Sequence, residues 1–494
     1  MKRGSGLLIH ISSLPSKYGV GDFGNGIFSF IDILHQMCQR YLQILPLTPI
    51  DLAYDCSPYH SISAFAGNQL FISLDKLAEE GLLSVEELSF FDSYPNDTAY
   101  FKEAFDIKQK YLYMAFSAFK KINDTSFEEF CWDNAYWLED YVLFKTLKTK
   151  FNKKPWFEWP EEFKRRDKNA LDIFRKALTN EIDFEKFIQF MFYNQWKKVK
   201  NYANSNGISI IGDMPMYVDL DSSDVWSHSQ YFKLDENGFP LGVAGVPPDY
   251  FSSTGQLWGN PVYNWEKLKE DNFSWWIKRF DHSLKLYDFV RMDHFRGLIA
   301  FWEVPYGEIT AINGTWVQVP TYELIDALNS KFTNLPVIAE DLGLITQDVT
   351  EALEKYDFPG MKVLLFAFGG DATNPYLPHN FEKNSVVYTG THDNNTSRGW
   401  FESEATEKEK HNLKRYIGHD VSSESINWEL IRLAISSVSN ISIFPIQDVM
   451  GLGSNARMNI PGTAFGNWRF RFSFGQISEF DKNSLKELTE IYGR

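Results

Sequence analysis

The stretch FVRMDHFRG, Phe289 to Gly297, decides the fold of this chain. Phe289, Val290 and Met292 suit a short buried strand, while Arg291, Asp293, His294 and Arg296 crowd ionisable groups towards its end. A strand interior would reject that set, because an unpaired buried carboxylate is costly or takes up a proton. At the carboxyl end of a parallel strand, where the chain leaves the sheet for a pocket, the set makes sense. Arg291 and Asp293 stand two apart, so on a strand they share a face and can pair. Such a pair favours the ionised carboxylate, the form a nucleophile or electrostatic stabiliser needs. Taken alone, Arg-x-Asp describes a structural ion pair equally well.

Outward from this stretch, short apolar runs ending in Pro, Gly or acidic residues recur. They are SGLLIHI (5–11), YLQILPLTP (41–49), ISIIGDMPMYV (208–218), PVIAEDLG (336–343), MKVLLFAFGGD (361–371), SVVYTGTHDN (385–394) and ISIFPIQDVM (441–450). With 289–297 they make eight candidate strands. Non-alternating apolar runs separated by helical patterns mark a parallel sheet covered by helices. Eight of them favour a (β/α)8 barrel over an open doubly wound sheet.

The spacing predicts one barrel domain over 1–494 with two excursions. The gap between the runs at 41 and 208 is several times a usual βα repeat, so a mostly helical insertion is expected over 55–195. A second excursion, 219–265, includes GVAGVPPDYFSSTGQLWGNPVYNW. Its Gly, Pro and aromatic content describes an ordered surface loop better than a helix or a strand.

Composition narrows the function classes. A formal charge of −16 argues against nucleic acid and anionic membranes as partners. Cys38, Cys56 and Cys131 are few and odd in number, which disfavours a disulfide framework or a structural zinc. The opening MKRGSGLLIHISSLPS makes a poor signal peptide and a better first strand. With no long apolar segment, a cytoplasmic protein without membrane spans is expected. The aromatic share, 16%, is high enough that some Trp and Tyr are expected as flat faces for ring-shaped ligands.

Several motifs fail their context. Gly19-Val20-Gly21-Asp22-Phe23-Gly24 matches GxGxxG, but Ser12 to Pro15 and more separate it from the preceding strand, so the dinucleotide geometry is wrong. His10, His60, His294 and His392 form no HxH or HExxH pair, and no GxSxG elbow exists. No cofactor and no metal are expected.

What remains is a rim of acids. Asp213, Asp293, Glu340 with Asp341, and Asp393 each close a candidate strand, and the ends of parallel barrel strands meet on one rim. Singly each reads as a cap or a turn residue. Together, like charges raise one another's pKa, so that one carboxyl stays protonated while another is ionised. Cleavage of a glycosidic bond asks for that division, with carboxyls about 5–5.5 Å apart in its retaining form.

On these residues the chain resembles the 4-alpha-glucanotransferases (amylomaltases, disproportionating enzymes) of glycoside hydrolase family 77. The matching stretches are SGLLIHISSLPSKYGVGDFG, SPYHSISAFAGN, IGDMPMYV, GVPPDYFSSTGQLWGNPVYNW, VRMDHFRG, IAEDLG and GTHDNNT. The resemblance implies a (β/α)8 barrel with insertions and without a C-terminal β-domain. It implies Asp293 as nucleophile, Glu340 as acid/base and Asp393 as the third acid, which binds ring hydroxyls. It implies Arg291 as the residue orienting the nucleophile, and Tyr59, Asp213, His294 and His392 as lining the donor subsite. Gln256 and Trp258 lie in the segment resembling the family's loop over the cleft, and 243–265 is the candidate lid. The expected partners are α-1,4-glucans and maltooligosaccharides, with glucose as an acceptor. Two other functions stay open, an α-1,4-glucan hydrolase of the same clan and a non-catalytic glucan-binding barrel.

Overall fold

A computed structural model describes residues 1–89, 93–122, 124–248, 252–343 and 345–494. Its strands in chain order are β1 (Gly4–Ile9), β2 (Tyr41–Ile44), β3 (Ser209–Met214), β4 (Gly242–Val246), β5 (Gln256–Pro261), β6 (Phe289–Met292), β7 (Ala300–Pro305), β8 (Thr315–Gln318), β9 (Val337–Ala339), β10 (Gly360–Val363), β11 (Ser385–Tyr388) and β12 (Ile441–Pro445). Eight of these close into a parallel barrel in the order β1-β12-β11-β10-β9-β6-β3-β2. Each barrel strand grew from one of the apolar runs, and the molecule is a (β/α)8 barrel. The reason is burial on both faces: β1, β2, β11 and β12 have no exposed residue, so polar alternation has no place in them.

Between β2 and β3 the chain is helical, with Phe101–Phe119, Ala135–Lys150, Lys168–Ala177 and Thr179–Ser205 as its longest elements. Aromatic rings fill its interior: Phe119 lies 5.1 Å from Phe187 and 5.4 Å from Phe127. The helix Thr179–Ser205 docks this layer on the barrel, where Trp196 Nε1 donates to Leu286 O at 3.0 Å. Much of the aromatic surplus is thus packing between helices and barrel rather than ligand surface.

The segment 219–265 corrects the expectation of a surface loop. It holds the helix Ser223–Ser227 and the strands β4 and β5, which join β7 and β8 in a four-stranded antiparallel sheet ordered β5-β4-β7-β8. β4 pairs with β7 (Val243 opposite Val304, Gly245 opposite Trp302), and Val243, Val304 and Ala311 form a small core of their own. The Gly-rich β4 gains its ladder from a partner lying beyond β6, which no local pattern reveals. Residues 249–251 of the candidate lid lie outside the described residues. Among the described residues no helix is long and apolar enough to cross a membrane.

Candidate active site

Strand register builds the site. Asp213 of β3 lies opposite Arg291 of β6, and Met292 lies opposite Ala339, the last residue of β9. One further step along each strand brings Asp293 and Glu340 to the same level of the rim. The chain then leaves β6 through His294, whose backbone is left-handed (φ 47°, ψ 52°). That conformation costs a non-glycine residue about 1–2 kcal/mol. In return the His294 N–H points at Glu340 and donates to Oε2 at 2.5 Å.

Arg291 is the hub. Its Nη1 donates to both carboxylate oxygens of Asp213 at 2.7 Å and to Asp293 Oδ1 at 3.0 Å. Its Nη2 stands 3.4 Å from Glu340 Oε2. Asp293 and Glu340 therefore flank one guanidinium. Side-chain exposure climbs outward from it: 0% at Asp213, 18% at Glu340, 25% at Asp293 and 44% at Asp393. Burial raises the Glu340 carboxyl well above its ordinary range; Arg291 and the His294 N–H oppose the rise, and Asp293 and Asp393 add to it. The like-charge effect expected from the sequence is present but second to desolvation. Burial likewise raises Asp213 against the pull of Arg291, and the guanidinium, surrounded by acids, is held charged. Asp341 turns away from the cation and accepts the Met361 N–H at 2.6 Å, the capping role a lone acid suggests.

Tyr59 links the buried acid to the outer one. Its hydroxyl donates to Asp213 Oδ2 at 2.8 Å, and its ring stacks on His392 at 5.1 Å and 13°. His392 Nε2 lies 3.4 Å from Asp393 Oδ1. On the other side Trp258 meets His294 edge to face at 4.7 Å and donates Nε1 to Gln256 Oε1 at 3.2 Å. Burial lowers His294 to about 4, so its ring is neutral near pH 7. All ten residues singled out from the sequence thus stand in one network of contacts: Gln256, Trp258, His294 and Glu340 lead to Arg291, which holds Asp293 and Asp213, and Asp213 leads on through Tyr59 and His392 to Asp393.

Three further residues complete it. Asn459 Nδ2 donates to Asp393 Oδ1 at 2.7 Å, Arg457 Nη2 donates to the Asp393 carbonyl at 2.7 Å, and Trp468 lies 5.8 Å from Tyr59 and 5.9 Å from His392. Arg457 just precedes NIPGTAFGNW (459–468), the segment of Asn459 and Trp468; its Gly/Pro/aromatic composition is the one that marked 242–265, and that signal would have found it. Among the described residues no group of three or more His, Cys, Asp or Glu side chains could hold a metal ion.

This arrangement suits cleavage and re-formation of a glycosidic bond: a protonated acid, a second carboxylate on the same cation, and flat rings beside both. Known proteins agree. The model of the 4-alpha-glucanotransferase family matches residues 9–477. The 4-alpha-glucanotransferase of Synechocystis sp. is 47% identical over 100% of this chain and 98% of its own length, and that of Aquifex aeolicus is 46% identical over 99% of each. A solved amylomaltase from Streptococcus agalactiae, in complex with acarbose, is similar at a TM-score of 0.96 and 38% identity, with 100% of both chains covered. By sequence over nearly its whole length and by fold, the chain belongs to the 4-alpha-glucanotransferases of glycoside hydrolase family 77.

Proposed function

We propose that Asp293, Glu340 and Asp393 carry the family's transfer of α-1,4-glucan segments by two displacements at one anomeric carbon. Protonated Glu340 gives its proton to the glycosidic oxygen as that bond breaks. An Asp293 oxygen attacks the anomeric carbon from the opposite face, leaving a β-linked glycosyl ester. The cleaved glucan leaves and an acceptor takes its place. Glu340, now ionised, removes the proton of the acceptor 4-hydroxyl, whose oxygen displaces Asp293. Two inversions restore the α linkage.

The observation that carries this reading is the raised Glu340 beside an Asp293 held on Arg291. It supplies the acid and the nucleophile at once. Asp393 presents an oxygen for sugar hydroxyls, while Tyr59 and Trp258 offer ring faces on either side. The acceptors are α-1,4-linked maltooligosaccharides and glucose, whose 4-hydroxyl is the nucleophile of the second step. A bound acceptor reaches an effective molarity that water must compete against, and a cover over the cleft adds to that bias. The segment 243–265 is that cover, and shortening it should raise the share of hydrolysis.

Incubation with maltotriose tests the reaction. Transfer yields glucose and longer oligomers while the number of reducing ends stays constant; a rise in reducing ends would mark a hydrolase instead. Asp293→Ala should abolish turnover, and full activity in that variant would end the assignment.

A further inference from the structure

We propose that Asp219 is a positioning residue for the transfer reaction, clasping the strand that carries Gln256 and Trp258 to the loop that carries Tyr59. One oxygen does this: Asp219 Oδ1 accepts from His60 Nδ1 at 3.1 Å and from Asn260 Nδ2 at 3.1 Å. His60 follows Tyr59 directly, Asn260 lies two residues beyond Trp258 on β5, and Asp219 itself follows β3 and Asp213. The same Asn260 amide nitrogen also donates to Val218 O at 3.2 Å. Three segments, each bearing a residue of the active site, are joined at one carboxylate that is itself only 15% exposed.

The clasp sits where β5 is least supported by its own ladder. Between the pairs Val243–Pro261 and Gly245–Leu257 the register slips, so β5 bulges around Trp258, Gly259 and Asn260. Gly259 is left-handed (φ 81°) with no side chain packed against its Cβ position. The orientation of Trp258 over His294 therefore depends on contacts outside the ladder. Tyr217, at 6.1 Å from the Trp258 ring, is one, and the bonds from Asn260 to Asp219 and to Val218 O are two more. Loosening it frees the wall of the cleft beside Glu340. Acceptor binding and exclusion of water should suffer, while bond cleavage on the Asp293 side should not.

The pair has a charge of its own. Burial disfavours the His60 cation, but the bond to Asp219 and its charge outweigh that, and the ring is raised above its usual range. Asp51 also faces the pair and opposes ionisation of Asp219. Below the raised value the clasp is an ion pair; as pH climbs through it, His60 loses its charge and its ring N–H donates to the Asp219 carboxylate without the ion pair.

This rests on the catalytic reading above only for the reaction being measured. The full-length protein is assayed with maltotriose as donor and labelled glucose as acceptor, recording kcat, KM for glucose, and the hydrolysed share of cleaved bonds. Asp219→Ala should raise KM for glucose by about tenfold, the loss of one or two hydrogen bonds, with kcat within about twofold. The hydrolysed share should rise with it. Asn260→Ala, which also loses the bond to Val218 O, should do the same, and the double variant should fall short of the sum of the two single effects. Asp219→Asn keeps both acceptor contacts, so its KM should stay near wild type. A merely structural role would lower kcat and thermal stability together without that split. The clasp is overturned if Asp219→Ala and Asn260→Ala leave KM and hydrolysed share within twofold of wild type, or if Asp219→Asn raises KM as far as Asp219→Ala does. If Asp219→Ala does not fold, Asn260→Ala and Asp219→Asn decide alone. Failure here leaves the Asp293→Ala result untouched, since every clasp variant still turns over.

Discussion

Replacing Arg291 separates what the hub does for the fold from what it does for the chemistry. Arg291→Met strands Asp213, whose side chain is fully buried, with only the Tyr59 hydroxyl at 2.8 Å to support it. Removing one partner of a buried pair costs about 3–5 kcal/mol, a large part of the ~5–15 kcal/mol that holds a typical domain together. Arg291→Lys keeps the charge against Asp213 but gives up the fork, because an ammonium cannot also reach Asp293 and Glu340. Those two acids each lose a charge-assisted contact of about 1.5–3 kcal/mol, so kcat/KM on maltotriose should fall by roughly 10² to 10⁴. The lysine variant should therefore remain close to wild type in urea unfolding yet be crippled in glucose release. A sign test accompanies it. Arg291 opposes the upward shift of Glu340, so removing the cation raises that carboxyl further. The alkaline limb of kcat/KM, on which the acid loses its proton, should then move to higher pH in Arg291→Met. An Arg291→Lys enzyme with more than a fifth of wild-type kcat/KM, or a limb moving to lower pH, would refute this account of the hub.

Other perturbations follow from single contacts. Asn459→Ala removes the 2.7 Å bond to a half-exposed carboxylate, worth about 1–2 kcal/mol, so kcat/KM should drop roughly 5- to 30-fold without loss of stability. Asn459→Asp should be worse, since it sets two carboxylates face to face, and equal effects would argue against the contact. Tyr59→Phe keeps the stack on His392 but loses the bond to Asp213; kcat/KM should fall by about tenfold, and by much more in Tyr59→Ala, as steady-state kinetics on maltotriose would show. Away from the site, Lys108 is fully buried and held by Asp22 at 2.8 Å and by the carbonyls of Leu70 and Ile72. Asp22→Asn should lower unfolding stability in urea by about 3 kcal/mol with kcat/KM unchanged, and a purely kinetic effect would count against the pair.

Some of this was readable from the chain alone. Parallel strands buried on both faces leave uninterrupted apolar runs, and acids at their ends cannot hide in the sheet, so β3, β6 and β9 announced both barrel and rim. The spacing of Arg291 and Asp293 reported a real contact because a strand has a period of two. It could not report that the same guanidinium holds Asp213 and Glu340, since those contacts depend on register across three strands. The antiparallel sheet was illegible for a similar reason: β4 pairs with β7, and a whole barrel strand lies between them in sequence. The composition of 459–468 could flag the segment of Asn459 and Trp468, but nothing local assigns the Asn459 amide to Asp393 until the barrel brings the two together. The cause assigned to the raised Glu340 was incomplete for the same lack. Burial depth is a property of the packed rim, not of neighbouring residue types.

The order of exposure around Arg291 explains why one cation suffices for so many acids. Asp213 is the innermost, held by Nη1 on both oxygens and by the Tyr59 hydroxyl on one, so it stays in place beside the cation. Asp293 and Glu340 share what remains, one donor each, at longer distances of 3.0 and 3.4 Å. Each is thus anchored but left with a free oxygen and partial access to the cleft, which attack and proton transfer both require. Asp393 has no contact with the cation; Asn459 donates to its carboxylate and Arg457 to its carbonyl, and it is the most exposed of the four acids. Were the hub to bind Asp293 bidentately instead of Asp213, the nucleophile would be pinned and the buried acid would be orphaned. Burying the spectator acid deepest, against the strongest pairing, leaves the two working acids free to change their charge in turn while the total at the rim stays balanced.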